Sequence, residues 1–92
     1  MYAKTVVLKN ASGLHARPAS EFVACAKQFA SKIYIKNLGD PEAVPANAKS
    51  IVRVLAAGIP VDTQIEISAE GEDETAAVDR LADLIETGLG ED

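Results

Sequence analysis

The sequence predicts an α+β, two-layer, open-faced sandwich: a four-stranded antiparallel sheet covered on one face by three helices. Three observations carry this. Stretches that alternate apolar and polar residues are interleaved with stretches whose apolar residues recur every three or four positions, in the order β-α-β-β-α-β-α. The helical stripes need a common surface to cover them, and one face of a sheet supplies it. At 92 residues the chain has room for one domain, residues 1–92, with one modest core.

The first strand runs from Tyr2 to Lys9 (YAKTVVLK), rich in β-branched and apolar residues, and ends at Asn10-Ala11-Ser12-Gly13. A helix follows from Ala16 to Ala30, with Ala19, Phe22, Val23, Ala26, Phe29 and Ala30 on one face. Pro18 falls in its first turn, where a missing N–H costs nothing. Lys32 to Leu38 (KIYIKNL) alternates as a strand does, and Gly39-Asp40-Pro41 signals a turn. Glu42 to Ala46 is expected as a short return strand, confined to an edge by Pro45. Ser50 to Ala57 reads as a short helix with Ser50 as N-cap and Gly58 as its stop. Ile51, Val54 and Leu55 share one face of it, and Val52 falls away. Thr63 to Ala69 places Ile65 and Ile67 on one side and Gln64, Glu66 and Ser68 on the other. The acidic run Glu70 to Glu74 opens a last helix reaching Glu86, three acids in its first turn complementing the dipole. Val78, Leu81, Ala82 and Ile85 form its apolar face, and Gly88 and Gly90 close it.

Composition narrows the function. A net charge of −5 argues against a nucleic-acid binder, which needs a dense basic footprint. Two Phe, two Tyr and no Trp make no platform for stacking bases. No apolar run has the length to cross a bilayer, so no membrane insertion is expected. A lone cysteine, Cys25, cannot form an internal disulfide and is expected as a small packed residue in a reducing compartment. No basic segment leads into an apolar one at the start, so no signal peptide is read. A cytoplasmic protein is expected, and nothing demands more than a monomer.

Chemistry concentrates in Gly13-Leu14-His15-Ala16-Arg17-Pro18-Ala19-Ser20, which holds the chain's single histidine. A lone histidine is most often a surface or capping residue, but its position here changes the reading. A helix N-terminus presents unpaired backbone N–H groups and a partial positive charge, a ready anion site. Arg17 adds a guanidinium able to pair bidentately with phosphate oxygens, and Gly13 lets the preceding loop bend. A nucleophilic imidazole, an anion cradle and a cation within a few residues suit a group that accepts and passes on a phosphoryl unit. A metal site lacks a second histidine, and Cys25 lies turns away on the same helix, so neither metal nor cofactor is expected. No serine or cysteine pairs with a base by spacing, which leaves out a hydrolase triad.

The run GLHARPAS, its distance from the start, the β-α-β-β-α-β-α order and the segment Asn47-Ala48-Lys49-Ser50-Ile51 together resemble the HPr family. These are histidine-containing phosphocarrier proteins of the bacterial phosphoenolpyruvate:sugar phosphotransferase system. The resemblance covers nearly the whole chain. It implies that His15 is phosphorylated on its δ1 nitrogen by Enzyme I and that the group passes to an Enzyme IIA domain. Such a chain is a stoichiometric carrier and not an enzyme. It further implies that Arg17 steadies the phosphate, that the backbone N–H groups of Ala16 and Arg17 complete the cradle, and that Ser12 and Pro18 adjoin it. Ile51, Val52 and Leu55 would form a docking patch for partners, although an apolar face on a short helix is most often core.

Ser50 carries two readings. As N-cap it needs no regulation; by the resemblance it is the serine that HPr kinase/phosphorylase modifies in many low-GC Gram-positive relatives. The chain departs from the family just there, with Arg53 where a small residue often stands and with Val52 and Leu55 where methionines often stand. Arg53 could pair with a phosphate on Ser50 or obstruct the kinase. The loop from Leu38 to Ala46 is longer than the family hairpin. Two other functions compete with a sugar carrier. One is an HPr-like carrier in a nitrogen-type or dihydroxyacetone-kinase-type regulatory chain. The other is a small interaction module without phosphoryl chemistry, which would keep its binding when His15 is removed.

Overall fold

The computed structural model describes residues 1–9 and 13–88. Its elements run β1 (Tyr2–Val7), α1 (Ala16–Ala26), β2 (Lys32–Asn37), β3 (Ala46–Asn47), α2 (Ile51–Ala56), β4 (Gln64–Glu70) and α3 (Glu74–Glu86). The four strands form one sheet in the order β1-β4-β2-β3, every pairing antiparallel. The element order and the sheet are those expected.

The alternation in the strands sets which face is dry. Ile65 and Ile67 of β4 pair with Val6 and Lys4 of β1, and Ile67 also stands opposite Ile35 of β2. Ile33, Ile35, Ile65 and Ile67 are buried, as are Phe22 and Ala26 of α1 and Val78, Leu81 and Ile85 of α3. Each of the larger side chains, Ala26 excepted, contributes about 1.5–3 kcal/mol on burial. At the sheet margin the β1 side chains that face α3 turn polar. The Tyr2 hydroxyl donates to Asp79 at 2.9 Å, and Lys4 pairs with the same carboxylate at 2.8 Å. Cys25 is packed in the core, and burial raises its thiol pKa.

Three expectations need correction. Helix α1 ends at Ala26 and not at Ala30. Gln28 and Phe29 make tighter i→i−3 bonds, and the following backbone is captured from elsewhere. The Ala30 N–H donates to Asp73 at 2.9 Å, and Lys49 Nζ donates to the Phe29 carbonyl at 2.6 Å. The return strand is Ala46–Asn47 rather than Glu42–Ala46. Asp40, Glu42 and Ala43 are spent in turn hydrogen bonds, and Pro45 has no N–H to give a ladder. Of the acids before α3, only Glu74 lies in its first turn. Glu70 ends β4, and the Asp73 side chain makes no cap bond to its own helix.

Asp73 instead ties α1's exit to α3's entrance. Its carboxylate accepts from the Ser31 hydroxyl, from the Ser31 N–H at 3.0 Å and from the Ala30 N–H. Gly71 permits this approach: at φ 153°, a Cβ there would meet Ser31 Oγ at 2.6 Å and Ser31 Cα at 2.8 Å. The Ser31 hydroxyl first, then the backbone donors, hold Asp73 below its ordinary pKa of 3.8. A carboxyl depressed on folding stabilises the fold above its unfolded pKa and loses that contribution as pH falls through the folded value. Asp73→Asn should therefore melt lower than wild type at neutral pH. The gap should close on titration below about pH 4; a gap that stays constant into stronger acid would contradict the clamp.

Candidate functional site

His15 is the N-cap of α1, with extended backbone (φ −109°, ψ −166°), an exposed side chain and no side-chain cap hydrogen bond. The imidazole is therefore not spent on its own helix. The His15 carbonyl accepts from the Ala19 N–H at 2.7 Å, closing the first turn. That leaves the N–H groups of residues 16, 17 and 18 without intrahelical acceptors. Pro18 has none, so the orphan donors reduce to Ala16 and Arg17, and neither has a hydrogen-bond acceptor among the described residues. Pro18 and Ala19 are buried while Ala16 and Arg17 are exposed, so the anchored side of the turn faces the core. The Arg17 guanidinium forms no ion pair among the described residues.

The loop ahead of His15 is held by a distant segment. The Leu14 N–H donates to the Ile59 carbonyl at 2.9 Å, and both side chains are buried. Gly13, at φ 70°, passes so close to this segment that a Cβ would lie 2.9 Å from Ile59 O and 3.1 Å from Pro60 Cα. His15 thus stands between two fixed points, Leu14 on one side and Pro18-Ala19 on the other. The need for a bend at Gly13 is readable locally. The part played by Ile59 is not, because nothing in the sequence marks its carbonyl as a partner of Leu14.

Ser50 is the N-cap of α2, its hydroxyl accepting from the Arg53 N–H at 3.3 Å. On that helix Val54 is fully buried, Ile51 is half-buried, and Leu55 and Val52 are 40% and 70% exposed. Leu55 therefore parts from Val54 and joins Val52 at the surface. Ile51 lines a groove against α1 with Ser20, Val23, Ala24 and Lys27. The structure so brings His15, Ala16, Arg17 and Pro18 together at the head of α1, and sets Ile51, Val52 and Leu55 on the neighbouring α2. Ser12 lies outside the described residues. Among the described residues no group of three or more His, Cys, Asp or Glu side chains could hold a metal ion, and no helix is long and apolar enough to cross a membrane.

An exposed imidazole, two N–H groups without intrahelical acceptors and a guanidinium with no ion pair among the described residues can take an anionic group onto nitrogen and hold its oxygens. Comparison with known proteins points the same way. Residues 2–87 match the family model described as the PTS HPr component phosphorylation site. The chain is 41% identical over 87 residues to the phosphocarrier protein HPr of Haemophilus influenzae, covering 95% of this chain and 98% of that protein. It is 45% identical over 91 residues to the multiphosphoryl transfer protein of Vibrio cholerae, covering 98% of this chain but only 22% of that much longer protein. The crystal structure of HPr-C-His from Thermoanaerobacter tengcongensis superposes with a TM-score of 0.90 at 40% identity, covering 100% of this chain and 99% of that one. The chain belongs to the HPr family of phosphocarrier proteins of the phosphotransferase system.

Proposed function

We propose that this chain is a cytoplasmic phosphocarrier that takes a phosphoryl group from phospho-Enzyme I onto His15 and delivers it to an Enzyme IIA domain. The observation that carries the reading is the exposed, uncapped imidazole at the head of α1, beside the two orphan N–H groups of Ala16 and Arg17. In the accepting step the δ1 nitrogen of His15 forms a bond to phosphorus as the donor's bond to phosphorus breaks. The electron pair of the broken bond stays with the donor. Delivery runs the same exchange toward the acceptor. The N–H groups of Ala16 and Arg17 hold equatorial oxygens whose charge is present before, during and after transfer. Arg17 adds a mobile cation. Ser12 adjoins the site on this reading, and Pro18 fixes the turn while offering no competing donor.

Ile51, Val52 and Leu55 serve as the apolar docking patch, with Lys27 beside the groove that Ile51 lines. Partners with carboxylates around an apolar centre suit it. Ser50 phosphorylation by HPr kinase/phosphorylase would place two negative charges beside that patch and oppose docking of such partners.

Incubation with Enzyme I and phosphoenolpyruvate should add one acid-labile phosphoryl group by intact mass, and His15→Ala should add none. A stable gain that survives in His15→Ala would remove the carrier reading. Hydrogen bonds to charged groups contribute about 1.5–3 kcal/mol, so Arg17→Ala should slow transfer by roughly tenfold or more. Gly13→Ala should slow it as well and also lower the melting temperature, since a Cβ there meets Ile59. Rates equal to wild type in both variants would contradict the clamp and the strap. Ser50→Ala should cost about 1 kcal/mol of stability as a lost N-cap, measurable by denaturant titration. Ser50→Asp should keep the cap yet raise the KM for phosphorylation by Enzyme I, and an unchanged KM would speak against the regulatory reading.

A further inference from the structure

One peptide group just past the end of α1 is held by charge from both sides. Lys49 Nζ donates to the Phe29 carbonyl at 2.6 Å, and the N–H of the same peptide, that of Ala30, donates to the Asp73 carboxylate at 2.9 Å. The C=O and N–H of a trans peptide point to opposite sides. The ammonium, the peptide dipole and the carboxylate therefore follow one another, each charge at the pole that favours it. Lys49 and Asp73 form no ion pair with each other, and neither forms one elsewhere among the described residues. Of the charges beside them, Glu74 is engaged with the Gly71 N–H and the Met1 amine, each at 3.2 Å. Lys32 lines the same hollow as Lys49.

Both charges come from other elements because α1 lacks its own. A helix C-terminus favours a cation, yet the last turn of α1 carries no basic residue. Lys49, 20 residues beyond Phe29, supplies it. Asp73 is the N-cap of α3 but makes no side-chain bond to that helix, which leaves its carboxylate for the Ala30 and Ser31 side. Lys49 is presented by a fixed turn. Its N–H donates to the Asn47 side chain at 2.9 Å, the Ser50 N–H to the Asn47 carbonyl at 3.1 Å and the Ala48 N–H to the Ile33 carbonyl at 2.9 Å. Ser50, the next residue, is the N-cap of α2. The exit of α1 and the entrances of α2 and α3 thus meet at the Phe29–Ala30 peptide.

We propose that Lys49 and Asp73 work as one electrostatic unit through this peptide, with Lys49 as the positioning residue that registers α2 and α3 on the end of α1. The ammonium polarises the peptide and makes the Ala30 N–H a stronger donor. The carboxylate polarises it in the same sense and makes the Phe29 carbonyl a stronger acceptor. Each bond strengthens the other although the two side chains do not touch. The junction lies at the end of α1 opposite His15, so it acts on how the three helices sit together and not on the reacting atoms.

The test is NMR and thermal melting of the full chain as wild type, Lys49→Gln, Lys49→Arg, Asp73→Asn and the double variant of Lys49→Gln with Asp73→Asn. Glutamine keeps a donor and removes the charge, whereas arginine keeps the charge. Lys49→Gln should move the Ala30 amide proton upfield and speed its exchange about twofold or more. It should also raise the midpoint at which the Asp73 carboxyl titrates, because the anion loses its cation across the peptide. Lys49→Arg should restore all three readings. The double variant should lose less melting temperature than the sum of the two single losses. An Ala30 amide and an Asp73 midpoint that stay at their wild-type values in Lys49→Gln, or melting losses that simply add, would overturn the unit. Equal changes in Lys49→Gln and Lys49→Arg would make Lys49 a packing residue and overturn it as well.

Discussion

A short set of backbone hydrogen bonds between the exit of β1 and the connection from α2 to β4 fixes the working end of this molecule. The Leu8 N–H donates to Thr63, the Asp62 N–H donates to Leu8 at 2.7 Å, and the Leu14 N–H donates to Ile59. The pairing of β1 with β4 is thus carried past the sheet into two loops that would otherwise be free. Asp62 takes a left-handed φ of 65° where it makes its bond, a conformation that aspartate adopts more readily than most non-glycine residues. Burial of Leu8, Leu14 and Ile59 closes the same region to water. The head of α1 and the end of α2 are therefore positioned by one shared seam, and His15 is set relative to α2 by covalent neighbours of that seam.

The electrostatic character of the site follows from what this seam leaves unpaired. Helix α1 has two orphan donors rather than three because Pro18 lacks one, and the first bonded amide, at Ala19, already has its acceptor in His15. On the proposed carrier reading, such a cradle holds phosphate oxygens without tight encapsulation, which suits a group that must leave as readily as it arrives.

What could be read from the sequence was what local pattern determines. The alternation in Thr63 to Ala69 and the helical spacing around Phe22 and Leu81 give the elements, and Pro18 in the first turn of α1 and Ser50 as the N-cap of α2 stand where they were read. What could not be read was set by partners far along the chain. Helix α1 stops early where Asp73, 43 residues from Ala30, takes the amide beyond it. The acids before α3 look like dipole partners, but one of them is spent on that distant turn. The return strand moved to Ala46–Asn47 because the Asp40 turn consumed the residues expected to form it. At the site the same division holds. GLHARPAS marks the histidine, the arginine and the bend, whereas the Ile59 carbonyl that positions them carries no local signature.

On the proposed carrier reading, the seam at Leu14 and Ile59 holds His15 so that the Ala16 and Arg17 amides receive the phosphoryl oxygens. Amide NMR of the chain before and after phosphorylation tests it most directly. Large downfield shifts and slowed hydrogen exchange are expected at Ala16 and Arg17, with Leu14 remaining hydrogen-bonded to Ile59 in both states. Phosphorylation that leaves the Ala16 and Arg17 amides unmoved, or that breaks the Leu14 bond, would contradict it.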